Sequence, residues 1–209
     1  MLSMLRRAGK VTLVLGLGLA LSACSLLPAA KPVQSWTLTP DLTTTGKAVQ
    51  VTDLRVLRPQ TQDLLSGSYL LVVPEGQPVS VYKGARWSAS IPNLWRDYLV
   101  TALQQDSRFA RISSDEVRVA ARHELVSRLD AFQSEYRNGQ PVVVMRGYLQ
   151  LVDADSRAIL AERALELSQP AKGKEVAEVV EAFSELMATS TREIENWLLD
   201  VQQVDQSSR

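Results

Sequence analysis

Asn138-Gly139-Gln140-Pro141-Val142-Val143-Val144-Met145-Arg146-Gly147-Tyr148-Leu149-Gln150-Leu151-Val152-Asp153 is the stretch on which the fold turns. Asn-Gly is the strongest short hairpin signal, because both residues tolerate the positive φ of a two-residue turn. From Pro141 to Asp153 the composition is strand-like throughout. A hairpin needs a partner strand before its turn. His123 to Tyr136 carries Leu125, Leu129 and Phe132 at a spacing that mixes helix and strand. The turn decides in favour of a long strand with a bulge. On the other side, Asp153-Ala154-Asp155-Ser156-Arg157 reads as a turn, and Ala158 to Ser168 returns with Ile159, Ala161, Leu165 and Leu167 on one side. The prediction is a meander of three antiparallel strands.

A meander has one apolar face that must be covered. Gln169-Pro170-Ala171-Lys172-Gly173 breaks the sheet, and a long helix is predicted from Glu175 to about Val201. Val176, Val179, Val180, Phe183, Leu186, Met187, Ile194, Trp197, Leu198 and Val201 form its stripe, with Glu178, Glu181, Glu185, Arg192 and Glu195 elsewhere. A second helix is predicted from Pro92 to about Gln105, with Ser90 as candidate cap and Leu94, Trp95, Tyr98, Leu99, Ala102 and Leu103 on one face. Earlier strands are predicted at Ser35–Thr39 and Ala48–Leu57, the latter with a parity switch near Asp53. Tyr69–Val73 and Val79–Tyr82 pair across Pro74-Glu75-Gly76, and Lys83-Gly84 closes that hairpin. Ser107 to Ile112 is a helix exit and brief strand with Phe109 and Ile112 inward, and Ser114-Asp115-Glu116 is a candidate helical turn.

The first 24 residues have a different character. Arg6, Arg7 and Lys10 precede an apolar run from Val11 to Leu21, too short for a stable span and typical of an export signal. Leu21-Ser22-Ala23-Cys24 then places small residues before the chain's single cysteine and resembles the bacterial lipobox. That resemblance implies cleavage after Ala23, a diacylglycerol on the Cys24 sulfur and an acyl chain on its new amine, with no other cofactor. One acyl chain binds a bilayer only reversibly, whereas two or three hold it. Ser25, rather than aspartate, follows Cys24, which by resemblance to enterobacterial sorting implies the periplasmic face of the outer membrane. The expected organisation is a signal peptide over 1–23, a lipidated N-terminus and tether over 24–34, one domain over 35–202 and a disordered tail over 203–209. The expected class is α+β, an antiparallel sheet with two amphipathic helices on one face.

Without Met1–Ala23 the chain has 186 residues, 20 of them basic and 23 acidic. That balance argues against nucleic acid as a partner, and the net charge near −3 also argues against the chain as a whole clinging electrostatically to anionic lipid. With one cysteine, predicted to be acylated, stability must come from packing rather than disulfides. Catalytic and metal motifs are sparse. Asp153, Asp155 and Arg157 invite a calcium reading, but arginine takes a ligand position and Ala158 stands where the loop needs glycine. His123 is the only histidine and has no cysteine partners for zinc. Ser66-Gly67-Ser68-Tyr69 lacks the nucleophile elbow. Glu162 and Glu166 read as a solvated sheet face, and there is no phosphate-binding glycine loop. The expectation is a protein that is not an enzyme and binds no metal. Trp87 and Trp95, with Tyr82 and Arg86 beside them, have two readings: core packing, or an exposed partner-binding patch.

Val81-Tyr82-Lys83-Gly84-Ala85-Arg86-Trp87, followed by Pro92, the Leu94-to-Leu103 helix and Arg108-Phe109, resembles the ABC-type transport auxiliary lipoproteins, the PqiC-like family. Leu129-x-x-Phe132, the meander and a closing helix with Trp197-Leu198 match it in the same order, so the resemblance spans Trp36 to Leu199. It implies an α/β periplasmic domain with no catalytic residues to carry over and with Cys24 as its one defined site. It also implies a docking role beside an MCE-domain protein of an ABC-type transporter that moves phospholipid or other hydrophobic cargo, and it is compatible with a symmetric homo-oligomer. Two other functions remain open on the residues alone: an outer-membrane assembly factor, and a lipid carrier with its own cavity.

Overall fold

A computed structural model describes residues 32–40 and 50–207. The expected signal peptide, Cys24 and most of the expected tether lie outside the described residues. The unit that begins at Val33 is built on β9 (His123–Arg137) and β10 (Gln140–Asp153). Their register closes at Arg137↔Gln140, so Asn138 and Gly139 alone make the turn, with φ of 53° and 72°. These are the two left-handed residues that a type I′ hairpin requires. The expected bulge lies opposite Gly147, where Leu129 and Ala131 are paired and Asp130 is the extra residue. β11 (Ile159–Pro170) completes the meander. Val143, Met145, Leu149 and Leu151 alternate along β10 and are buried. Gly147 lies between them because a Cβ there would run into the Arg128 carbonyl oxygen of β9.

α2 (Val176–Ser207) covers that face. Val179, Phe183, Leu186, Met187, Ile194 and Leu198 are buried at helical spacing, and the Ser190 hydroxyl approaches the Met145 sulfur at 3.5 Å. The packing centres on three rings. Phe183 meets Trp87 edge-on at 5.1 Å between centroids and Phe132 at 4.8 Å. α1 (Ile91–Gln105) packs into the same core through Leu94, Trp95, Tyr98, Leu99, Ala102 and Leu103. Ser90 takes the N-cap position without a side-chain capping bond. Helix entry is fixed by backbone instead: the Ile91 amide donates to the Gly67 carbonyl at 2.8 Å.

The class is α+β, with both helices in one core, but the sheet is mixed rather than antiparallel. Its main path runs β1 (Gln34–Trp36), β6 (Ser80–Trp87), β5 (Tyr69–Val73), β9, β10, β11. β5 lies parallel to β9, and β1 parallel to β6. β6 runs antiparallel to β5 and hence opposite to β9, and the long connection through α1 carries the chain from β6 past β5 to β9. β3 (Leu54–Val56) and β4 (Gln60–Thr61) also run parallel to β9, and β3 pairs with β8 (Ser113–Ser114) as well.

Other expectations were displaced locally. Lys83-Gly84 does not end its strand. Gly84 has φ +76° and forms a bulge, beyond which β6 continues to Trp87. The parity switch at Asp53 is a full break. At φ 59° this residue separates β2 (Val51–Thr52), which pairs with β7 (Phe109–Ala110), from β3 in the main sheet. Ile159 is exposed, because a register shift after Leu151 flips it away from Ala161 and Leu165. α2 continues to Ser207, through residues expected to be tail, since no proline or glycine interrupts 202–207.

Phe183→Ala is expected to destabilise the protein by about 3–5 kcal/mol in denaturant unfolding, and Gly147→Ala by about 1–3 kcal/mol through backbone displacement at the bulge. A loss under about 1 kcal/mol for Phe183→Ala would show that the core is not centred on the three rings.

Candidate functional site

The residues singled out around α1 separate into core and surface. Trp87 and Trp95 are each 1% exposed. They cannot offer their rings to a partner, and that reading is withdrawn for both. The reason is alternation: Ala85 and Trp87 face the helices while Arg86 between them faces out, and Trp95 lies on the apolar stripe of α1. Arg86 is exposed. Tyr82 is half-buried and its hydroxyl lies 3.2 Å from the Ser134 hydroxyl. Burial pushes the phenol up to about 12, so it stays protonated.

Two charged clusters that the sequence did not show lie beside these rings. Arg96 is 2% exposed on α1, yet its guanidinium bonds three carboxylates: Asp97 at 2.8 Å, Asp115 at 2.8 Å and Glu116 at 2.7 Å. Asp115 and Glu116 do lie in a single turn, closed by the Val117 amide on the Ser114 carbonyl at 3.3 Å, but it does not extend into a helix. They pin the segment after β8 onto the helix. No spacing rule links positions 19 and 20 residues apart outside one element, so pattern alone could not find this clamp.

The second cluster joins the end of α1 to α2. Arg108 holds Asp106 in a two-pronged ion pair, with Nε 3.0 Å and 2.9 Å from its two carboxylate oxygens. Glu195, expected off the apolar stripe, is 1% exposed and meets Arg108 only at 3.5 Å. Its Oε1 is buried without a hydrogen-bond partner among the described residues. Burial, reinforced by the Asp106 charge and only partly offset by Arg108 and Arg192, raises the Glu195 carboxyl to about 7.

An open groove of about 460 Å³ lies between the later part of α1 and the segment that follows β7. Val100, Ile112, Val117, Val119 and Ala120 line it together with the Asp53–Arg111 ion pair. The Arg111 hydrogen bond holds Asp53 down to about 2. The remaining sites singled out in the sequence have structural roles. Asp153 Oδ1 accepts bonds from the Ser156 amide and hydroxyl within its turn, at 2.8 and 2.7 Å. His123 is buried in β9, and Glu162 and Glu166 are exposed on β11. Among the described residues no group of three or more His, Cys, Asp or Glu side chains is placed to hold a metal ion. No helix among them is long and apolar enough to cross a membrane.

The Glu195 environment has a pH signature. Its folded pKa lies above the usual 4.5, so the folded state binds the proton more tightly and stability falls as pH rises from about 4.5 to about 7. Glu195→Gln removes that penalty. The variant is expected to be more stable than the parent at pH 8, on the order of 2 kcal/mol. The two should converge below pH 4.5. A pH-independent gap in denaturant titrations would contradict the burial account.

No curated protein matches the sequence. Among solved structures, protein XCC0632 from Xanthomonas campestris, assigned to family DUF330, is similar at a TM-score of 0.76 and 21% identity. That match covers 83% of this chain and 99% of the other. An uncharacterised protein is similar at a TM-score of 0.62 and 15% identity, covering 79% of this chain and 99% of that one. Both share the fold. The model of the family described as the ABC-type transport auxiliary lipoprotein component matches residues 36–195, from the first strand through most of α2, and the chain belongs to that family.

Proposed function

We propose that this protein is the lipid-anchored docking component of an MCE-type ABC transport system, fixed to the periplasmic face of the outer membrane. There it serves the passage of phospholipid or other hydrophobic cargo across the envelope. Membership of a transport auxiliary lipoprotein family carries this reading. The lipobox-like Leu21-Ser22-Ala23-Cys24 supports it, with the diacylglycerol and N-acyl chain on Cys24 as the attachment and Ser25 as the sorting cue. The role is non-enzymatic. The charged clusters around Arg96 and Arg108 are ion pairs that fasten elements together.

A carrier with its own cavity would need the concave side of the sheet to be empty. Phe183, Leu186 and Met187 of α2 fill that space and are at most 2% exposed. The groove beside α1 is open to solvent and forms no enclosed chamber. Docking suits the packed domain better than carriage does.

The anchor and the partner are tested together. Cys24→Ser is expected to move the protein from the outer-membrane fraction to the soluble periplasmic fraction while its folded domain persists. The acylated parent should co-purify with an MCE-domain protein from envelope extract, and an anchored chain lacking residues 35–209 should not. Membrane sedimentation of Cys24→Ser at the parental level would contradict anchoring. Retention of the MCE partner by the anchored N-terminus alone would contradict docking through the domain.

A further inference from the structure

The geometry points to a second, non-covalent contact with the membrane: the outer face of the β1–β6–β5 edge rests on the phospholipid surface. The inference builds on the proposed Cys24 anchor and adds an orientation to it.

The face follows from register. Arg86 lies between inward Ala85 and Trp87, so it points away from the helices. Tyr69 pairs with Arg86 and Ser35 aligns with Arg86, so all three share the outer side, as does Val33 two residues before Ser35. Val81 pairs with Leu71, which lies two residues from Tyr69, and Lys83 follows Val81 by two before the Gly84 bulge. The result is an outward rim of Val33, Tyr69, Val79, Val81, Lys83 and Arg86 around Leu71, which lies on the same face but is only 2% exposed. Its apolar members are exposed to an unusual degree: Tyr69 58%, Val33 55%, Val79 41% and Val81 38%. Four exposed apolar side chains, Tyr69 and Val81 on adjacent strands and Val33 and Val79 just before β1 and β6, mark an interaction surface rather than scattered surface residues.

Three observations favour a lipid surface as the occupant. β1, β5 and β6 together contain two basic residues and no acidic one. Acyl-region contacts flanked by cations suit a bilayer with anionic headgroups, and tyrosine suits its interface. At the far edge Glu162 and Glu166 are exposed on β11, whereas Glu135, on β9 beside the patch and in register with Val73, is neutralised by Arg137 and Arg146. The patch is also where the tether arrives. Val33 is nine residues after Cys24, a reach of at most about 31 Å when extended. β11 lies five strand spacings away, about 24 Å across the sheet. The edge that receives the tether also carries the exposed apolar and basic residues, and since the extended tether is longer than the sheet is wide, it is this composition rather than the reach that favours that edge at the membrane.

The test uses the full-length acylated protein in vesicles of phosphatidylethanolamine and phosphatidylglycerol. Single cysteines at Tyr69→Cys, Val81→Cys and, as the distant control, Ile159→Cys carry an environment-sensitive fluorophore. Lipid bearing a headgroup nitroxide serves as quencher. The expected result is a blue shift and several-fold stronger quenching at 69 and 81 than at 159. Equal quenching at all three positions would overturn the proposal. A blue shift at 69 and 81 without lipid quenching would also overturn it and assign the face to a second copy of the chain. Failure of the anchor itself would look different: the parent, with no introduced cysteine, would take up label at Cys24.

Discussion

Everything in the domain depends on the burial of the α2 stripe against the β9–β10 hairpin. Phe183 is the keystone, in ring contact with both Trp87 and Phe132 and thereby linking β6, β9 and α2. Buried aromatic pairs of this kind add to their large area burial a directional preference that fixes helix rotation. Once α2 is seated, its later turns bring Glu195 beside Asp106 and Arg108, and the end of α1 is drawn into the same core. A chain with one cysteine, at position 24, has no disulfide of its own to hold it together and relies on such packing.

The parts of this fold that obey local periodicity were legible. Asn138-Gly139 fixed the hairpin because its φ requirement is local. The long stripe of α2 was legible because a 3.6-residue period over many turns has no competing explanation. What could not be read was non-local. The parallel partnership of β5 with β9 depends on how the connection through α1 returns, which no residue encodes by itself. Gly84 looked like a terminator because glycine at positive φ serves both turns and bulges. Glu195 was placed off the apolar stripe because a glutamate usually is solvated; it is buried because it lies on one helix face with Thr191 and Leu199, both buried, and Arg108, 87 residues earlier, only partly compensates its charge.

The candidate site was less legible than the fold. Trp87 and Trp95 drew attention as aromatic anchors, yet tryptophan is large enough to dominate either a core or an interface, and strand parity decides between them. The surface that remains is made of less conspicuous residues, valines and a tyrosine with two cations, on the side opposite the rings. Arg96 shows the reverse effect, a charge within the packed layer, tolerable because three carboxylates satisfy its guanidinium. Buried charges here fasten segments to α1 and α2.

Native-state hydrogen exchange read by mass spectrometry measures the central packing directly. The account predicts that amides of 179–198 in α2 and of 125–151 in the hairpin form one slowest-exchanging unit and lose protection together as denaturant is added. Exchange of α2 well before the hairpin, with the strands still protected, would contradict it.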